Sequence, residues 1–364
     1  MPVPLFDPMA PLAPLRDELR ASTGRVLDNG AFILGPEVAA FERELAAYLG
    51  TAHAVGVANG TEAITIALRA LGVGAGDEVV VPSFSFYASA EAIPPTGARP
   101  VFCDVDAETF CVTADTVRAA LTPRTKAVVV VHLFGNVAPV AQIAALGVPV
   151  VEDAAQAAGS TTPDGRPGAL GAIATFSFYP SKNLGAFGDG GAVTTADDAL
   201  AERVRTLRFH GSRDKVTYTE VGYNSRLDEL QAAVLRVMLP HLDAWAEHRA
   251  RAGEWYAEAG LGELCSLPRS APGSRAAWHL YVARHTRADE LVAALGERGV
   301  GARAYYRTPI HRQPAMAAFA PPGDDGLPGT AEAARTHVAL PMSAAITREQ
   351  VAEVVAAVRD ARLG

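Results

Sequence analysis

Short β-branched runs punctuate the first half of the chain. Val79-Val80-Val81 stops at Pro82, Val128-Val129-Val130-Val131 stops at His132, and Val148-Pro149-Val150-Val151 stops at Glu152-Asp153. Uninterrupted apolar runs of this length fit strands covered on both faces. Between them the spacing changes. The window 61–71 (TEAITIALRAL) sets apolar residues three and four apart and ends before Gly72; 113–121 (TADTVRAAL) does the same, with Thr113 placed as its cap. Apolar strands alternating with helices predict a mostly parallel, doubly wound α/β sheet. From 227 to 251 the pattern is helix-rich, and Pro240 is predicted to kink or divide it. Beyond, 279–283 reads as a strand, 287–298 as a helix closed by Gly299, 321–326 as an exposed loop and 347–363 as a last helix. This change of texture predicts two domains, a large α/β domain over 1–245 with an N-terminal arm and a smaller α+β domain over 246–364.

Composition narrows the function classes. Of 364 residues, 49% are hydrophobic, enough for a sizeable core and against disorder. Lysine and arginine number 32 against 40 acidic residues, a net charge of −8 with no basic block, so a nucleic-acid stripe is not expected. No run of about 18 apolar residues suggests a membrane span. The start, Met1-Pro2-Val3-Pro4, has no basic region followed by an apolar one, so no signal peptide is read. Cys103, Cys111 and Cys265 have neither metal-ligand nor CxxC spacing, and an odd number suits no disulfide framework. A cytoplasmic protein without a metal is the expectation.

Candidate chemistry concentrates in a few places. Lys182 stands in a run with almost no other charge, followed by Gly185, Gly188, Gly190 and Gly191. A desolvated lysine sheds its proton readily and becomes a nucleophile; a surface lysine ahead of a glycine loop has the same appearance. Asp153 ends an apolar strand, where α/β sheets place ligands, and could meet a cation there or cap the helix that follows. Asn59-Gly60-Thr61 opens the 61–71 helix, a phosphate site or a plain N-cap. Phe86, in the aromatic cluster 84–87, can stack on a planar ring or fill the core. Asn224 and Arg226 precede a helix and are able to donate to a phosphate or to close a turn.

Taken together and in order, these segments resemble the DegT/DnrJ/StrS sugar aminotransferases, pyridoxal phosphate enzymes of fold type I. The resemblance runs from about Phe32 to Arg359 and includes Gly35-Pro36-Glu37-Val38, Val57-Ala58-Asn59-Gly60-Thr61-Glu62-Ala63, Glu152-Asp153-Ala154-Ala155-Gln156, the Lys182 segment, 222–232 and Leu340-Pro341-Met342. It implies a seven-stranded, mainly parallel sheet flanked by helices. It implies that Lys182 carries pyridoxal 5′-phosphate, with pyridoxamine phosphate as the alternate form, that Asp153 pairs with the pyridine nitrogen, and that Gln156 neighbours the ring 3-hydroxyl. Phe86 takes the stacking position, where relatives often have Trp or Tyr. Gly60, Thr61 and Ser177 take phosphate positions. Asn224, and Arg226 with it, would reach the cofactor of a second subunit, so a homodimer with shared active sites is implied.

The resemblance further implies a ping-pong reaction from L-glutamate to a nucleotide-linked keto sugar. The runs 180–191 and 222–231 look more like members acting on dTDP-3-keto-6-deoxyhexoses, and 305–311 resembles a loop near the sugar. His210, Arg226, Tyr306 and His311 are the sugar-side candidates, with local packing as the alternative for each. Amination at C4 or of a cyclitol stays open. Related dehydratases carry histidine at the lysine position, which Lys182 argues against. A non-catalytic regulatory protein would have lost Lys182 or Asp153, and both are present.

Overall fold

The computed structural model describes residues 2–320 and 326–363; of the loop expected over 321–326, only Gly326 lies among them. Seven strands form the main sheet: β1 (His53–Val57), β2 (Glu78–Pro82), β3 (Arg99–Cys103), β4 (Thr125–Val131), β5 (Val150–Asp153), β6 (Ile173–Ser177) and β7 (Gly191–Thr195). Their order is β1-β7-β6-β5-β4-β2-β3. The pairings β2–β3, β2–β4, β4–β5 and β5–β6 are parallel, while β7 runs antiparallel to both β1 and β6. The β-branched runs are central strands. Val79, Val80, Val81, Val128, Val129, Val130 and Val151 are all buried, as strands covered by helices on both faces must be.

The predicted helices form with the predicted caps. Asn59 accepts a 2.9 Å bond from Glu62 N and opens the Gly60–Ala70 helix. Thr113 and Thr116 make a reciprocal capping box at the Ala114–Ala120 helix. Pro240 divides its segment: a helix over Glu229–Met238, a tight turn over Leu239–His241, then a helix over Leu242–Glu258. Proline lacks the N–H the helix would need there.

The later part of the chain builds an antiparallel pair, β8 (Tyr281–Arg284) and β9 (His337–Leu340), with helices over Ala288–Glu297 and Arg348–Asp360. The strand expected from 279 begins two residues later. Trp278 adopts a positive φ of 32° and Leu280 N turns back to Phe134 O, so His279 leaves the ladder. The N-terminal segment lies along this region: Val3 exchanges bonds with Gly299 and Gly301, and Met342 N donates to Leu5 O. No helix among the described residues is long and apolar enough to cross a membrane.

Candidate active site

The site forms at the carboxyl edge of the parallel strands. Register sets Val131 beside Asp153, and Asp153 beside Thr175 two residues before Ser177. Alternation along β5 sends Glu152 and Asp153 to opposite faces. Glu152 is fully buried and accepts from Gly168 N, Leu170 N and Gly171 N, with its Oε2 2.8 Å from His132 Nε2. That network holds β5 in place. Asp153 faces a cavity of about 690 Å³ whose wall includes Gly60, Thr61, Phe86, Gln156, Ser177, Lys182 and Tyr306. Seven residues singled out in the sequence thus meet Asp153 around one space.

Lys182 arrives from the loop after β6. Its amide donates to Tyr179 O at 2.8 Å, and a Cβ on Gly185 would fall 2.6 Å from Pro180 O, so only glycine lets the loop fold this tightly. Burial pushes the Lys182 ammonium down to about 8, and the nearby Asp153 charge opposes part of that shift. Asp153 is itself buried; its Oδ2 accepts from Ser89 Oγ at 2.7 Å and its Oδ1 from Ala155 N at 3.2 Å. Ser85 Oγ lies 3.0 Å from Ser89 Oγ and extends this chain of hydroxyls. These two hydrogen bonds satisfy a carboxylate that burial has taken out of water.

Gln156 links the strand end to a later loop: its Oε1 accepts from Phe134 N at 2.8 Å and its Nε2 donates to Tyr306 OH at 3.3 Å. The Tyr306 ring stacks on Phe134 with centroids 5.8 Å apart, and its amide donates to His337 Nε2 at 3.1 Å. Burial raises the Tyr306 phenol, so it serves as a neutral hydroxyl.

The remaining candidates stand elsewhere. His311 is buried, but its ring bonds Ser83 Oγ and packs 6.1 Å from Phe102, so it faces the interior and does not line the cavity. His210 and Asn224 are exposed on adjoining segments joined by a bridge at Phe209 and Asn224, and neither they nor Arg226 line the cavity of their own chain. Ala58 N donates to Ser225 Oγ, which ties the Asn224–Arg226 turn to the edge of the Gly60 rim. Sequence reasoning passed over Ser85, Ser89, Glu62, Asp189, Arg249 and His279, all of which line the cavity. Ser85 and Ser89 follow a strand end as ordinary turn serines do, and Arg249 and His279 sat in segments where nothing marked one polar residue from the next.

The site fits pyridoxal phosphate. A buried amine brought down to about 8 stands on one wall and a buried, hydrogen-bonded carboxylate on another. The first amides of the Gly60–Ala70 helix have no intrahelical partner and open onto the cavity. A Cβ on Gly60 would lie 2.7 Å from Ser177 Cβ, so the glycine brings the two phosphate candidates together. Phe86 leaves 55% of its surface free at the cavity, a ring face open for stacking.

Comparison with known proteins agrees. Residues 15–359 match the DegT/DnrJ/EryC1/StrS aminotransferase family. The chain is 46% identical to the dTDP-3-amino-3,4,6-trideoxy-α-D-glucose transaminase of Streptomyces venezuelae, over 98% of this chain and 96% of that one. It is 43% identical to the UDP-N-acetyl-3-dehydro-α-D-glucosamine 3-aminotransferase of Acidithiobacillus ferrooxidans, over 98% and 97%. Among solved structures, S. venezuelae DesV in complex with a ketimine intermediate superposes with a TM-score of 0.96 at 45% identity, covering 100% of this chain and 99% of that one.

Proposed function

We propose that this chain, which belongs to the DegT/DnrJ/EryC1/StrS aminotransferase family, moves the amino group of L-glutamate to C3 of a dTDP-linked 3-keto-6-deoxy sugar. Membership makes it a sugar aminotransferase dependent on pyridoxal phosphate. When bound, that cofactor supplies an electrophilic carbon and a ring that takes up electrons from the carbon being deprotonated. The observation that carries the reading is Lys182 and Asp153 on one cavity, the amine shifted to about 8 and the carboxylate held by Ser89 and Ala155 N.

Each residue then has a task. Lys182 holds the cofactor in the resting enzyme. Before the cofactor binds, roughly a tenth of Lys182 is neutral at pH 7, far more than of an exposed lysine. Its Nζ would take the proton from the donor α-carbon as base and later return it as acid. Asp153 keeps the ring nitrogen protonated. Gly60 N, Thr61 and Ser177 hold the phosphate, Phe86 covers the ring and Gln156 stands beside its 3-hydroxyl. Tyr306 offers a neutral hydroxyl on the sugar side, where Gln156 orients it. Asn224 and Arg226, with His210 alongside, serve the cavity of a second copy, so the working unit is a homodimer with shared sites. The interior setting of His311 favours a supporting place behind Ser83 over sugar contact.

Position 3 is favoured because both relatives carry it in their names, whereas the nucleotide differs between them. A UDP-linked 3-keto sugar is therefore the second reading. The test is a panel of dTDP- and UDP-linked 3-keto and 4-keto sugars and a cyclitol ketone, each incubated with loaded enzyme and glutamate, with NMR of the product. Nitrogen at C3 of a dTDP-hexose is expected. Amination at C4, or of the cyclitol alone, removes the assignment of position.

A further inference from the structure

Arg249 is a buried cation with no ion-pair partner among the described residues. It lies on the Leu242–Glu258 helix, and its Nη1 donates to the Trp278 carbonyl at 3.1 Å. Its Nε is buried without a partner, and no carboxylate among the described residues acts on it. Burial alone pulls the guanidinium down to about 10. His279 stands beside it, turned inward by the bend at Trp278, and its Nδ1 is likewise buried and unpartnered. The charges of Lys182 and Arg249, added to burial, hold the His279 ring well below its usual range and neutral. Lys182 and Arg249 are the only lysine or arginine among the described residues of the cavity wall.

An unpaired guanidinium in a dry wall is a site for an anion, and a carboxylate matches its planar fork. Four anionic groups enter this reaction: the cofactor phosphate, the sugar diphosphate, and the α- and γ-carboxylates of the glutamate donor. The phosphate already has the Gly60–Ala70 helix N-terminus and Ser177, contributed by the sheet. Arg249 and His279 come instead from the 242–280 part of the chain, on the Lys182 side. The donor α-carbon must meet the Lys182 amine for a proton to pass, and of the two donor carboxylates only the α-carboxylate is one bond from that carbon. We propose that Arg249, assisted by a neutral His279, forms the subsite for the α-carboxylate of the amino donor. This rests on the reading above that the donor is an amino acid. It makes the amino-acid half of the reaction depend on a residue that the sugar half does not need for charge balance.

The test uses loaded enzyme carrying Arg249→Gln or Arg249→Lys. Succinate binding to the resting form is followed by calorimetry, and half-saturation is measured separately for glutamate and for the keto sugar. Loss of a charge-assisted pair should weaken succinate binding and raise the glutamate half-saturation roughly tenfold or more in Arg249→Gln. Arg249→Lys should recover part of both, and half-saturation by the keto sugar should move little. Unchanged succinate and glutamate binding in Arg249→Gln overturns the proposal. So does an equal loss for donor and sugar, which marks Arg249 as structural, or inorganic phosphate binding the wild type as tightly as succinate and being lost with it. A wild type inert to every amino acid defeats the donor reading instead, while the succinate titration still judges the carboxylate subsite.

Discussion

At the scale of the residue, the central fact is an amine that has been made costly to protonate. The folded Lys182 titrates near 8 against an ordinary 10.5, so between those values the unfolded chain binds more protons than the folded one. Burial of Lys182 therefore costs stability fully below about pH 8, and the cost fades as pH rises toward 10.5. Cofactor-free Lys182→Met should be more stable than the cofactor-free wild type at pH 7, by on the order of 3 kcal/mol at most. Urea unfolding at pH 7 and pH 10 measures this, and an advantage that fails to shrink at pH 10 rules out Lys182 titration as its source. Lys182 was legible in the sequence because it stands in a run with almost no other charge, and Asp153 because it ends an apolar strand. Ser89 was not, since a buried serine beside a strand end looks like any turn serine until its 2.7 Å bond to Asp153 is seen. Arg249 shares its helix with His248 and Arg251, and only packing decides which of the three faces inward.

At the scale of the element, the site depends on how ends are finished. Asn59 caps the Gly60–Ala70 helix with its side chain, which leaves the first amides free for an anion. Gly60 has to be glycine because Ser177 on β6 stands where a side chain would be. Gly60→Ala should retain the fold yet weaken cofactor binding roughly tenfold or more, the scale of one misfitted methyl. Titration of the cofactor-free protein with pyridoxal phosphate, followed by absorbance, reads this directly; binding at the wild-type affinity would separate the Gly60 rim from the phosphate. Strands and caps were readable from apolar runs and from Asn and Thr at helix starts. The start of β8 was not, because the departure of His279 follows from a positive φ at Trp278 and a bond to Phe134, which no local pattern encodes.

At the scale of the whole molecule, one chain leaves two kinds of residue looking outward. Val216, Tyr218 and Val221 are 80%, 59% and 82% exposed, and Phe32, Ile33 and Phe187 are also open to solvent. Asn224 is exposed on the same 209–224 segment and outside its own cavity. Both observations support a face that a second copy covers. Asn224→Ala and Lys182→Ala should each be inactive alone, while their verified heterodimer should regain about half of the wild-type activity, since one intact site forms per dimer. A heterodimer as inactive as its parents would assign each site to a single chain.

The amino-acid sequence by itself determined the alternation of strands and helices, the caps, the division at Pro240, and, through the ordered resemblance, the cofactor and the class of reaction. These are properties of local periodicity and of side-chain chemistry, which a linear string preserves. Only the tertiary structure decided what surrounds Lys182: the fold that brings Asp153 to the same cavity, the hydroxyl that holds Asp153, and the arginine and histidine on the same wall. Burial and proximity between residues far apart in the chain come from packing, and it is packing that lowers the Lys182 amine and leaves Arg249 without a counter-charge among the described residues.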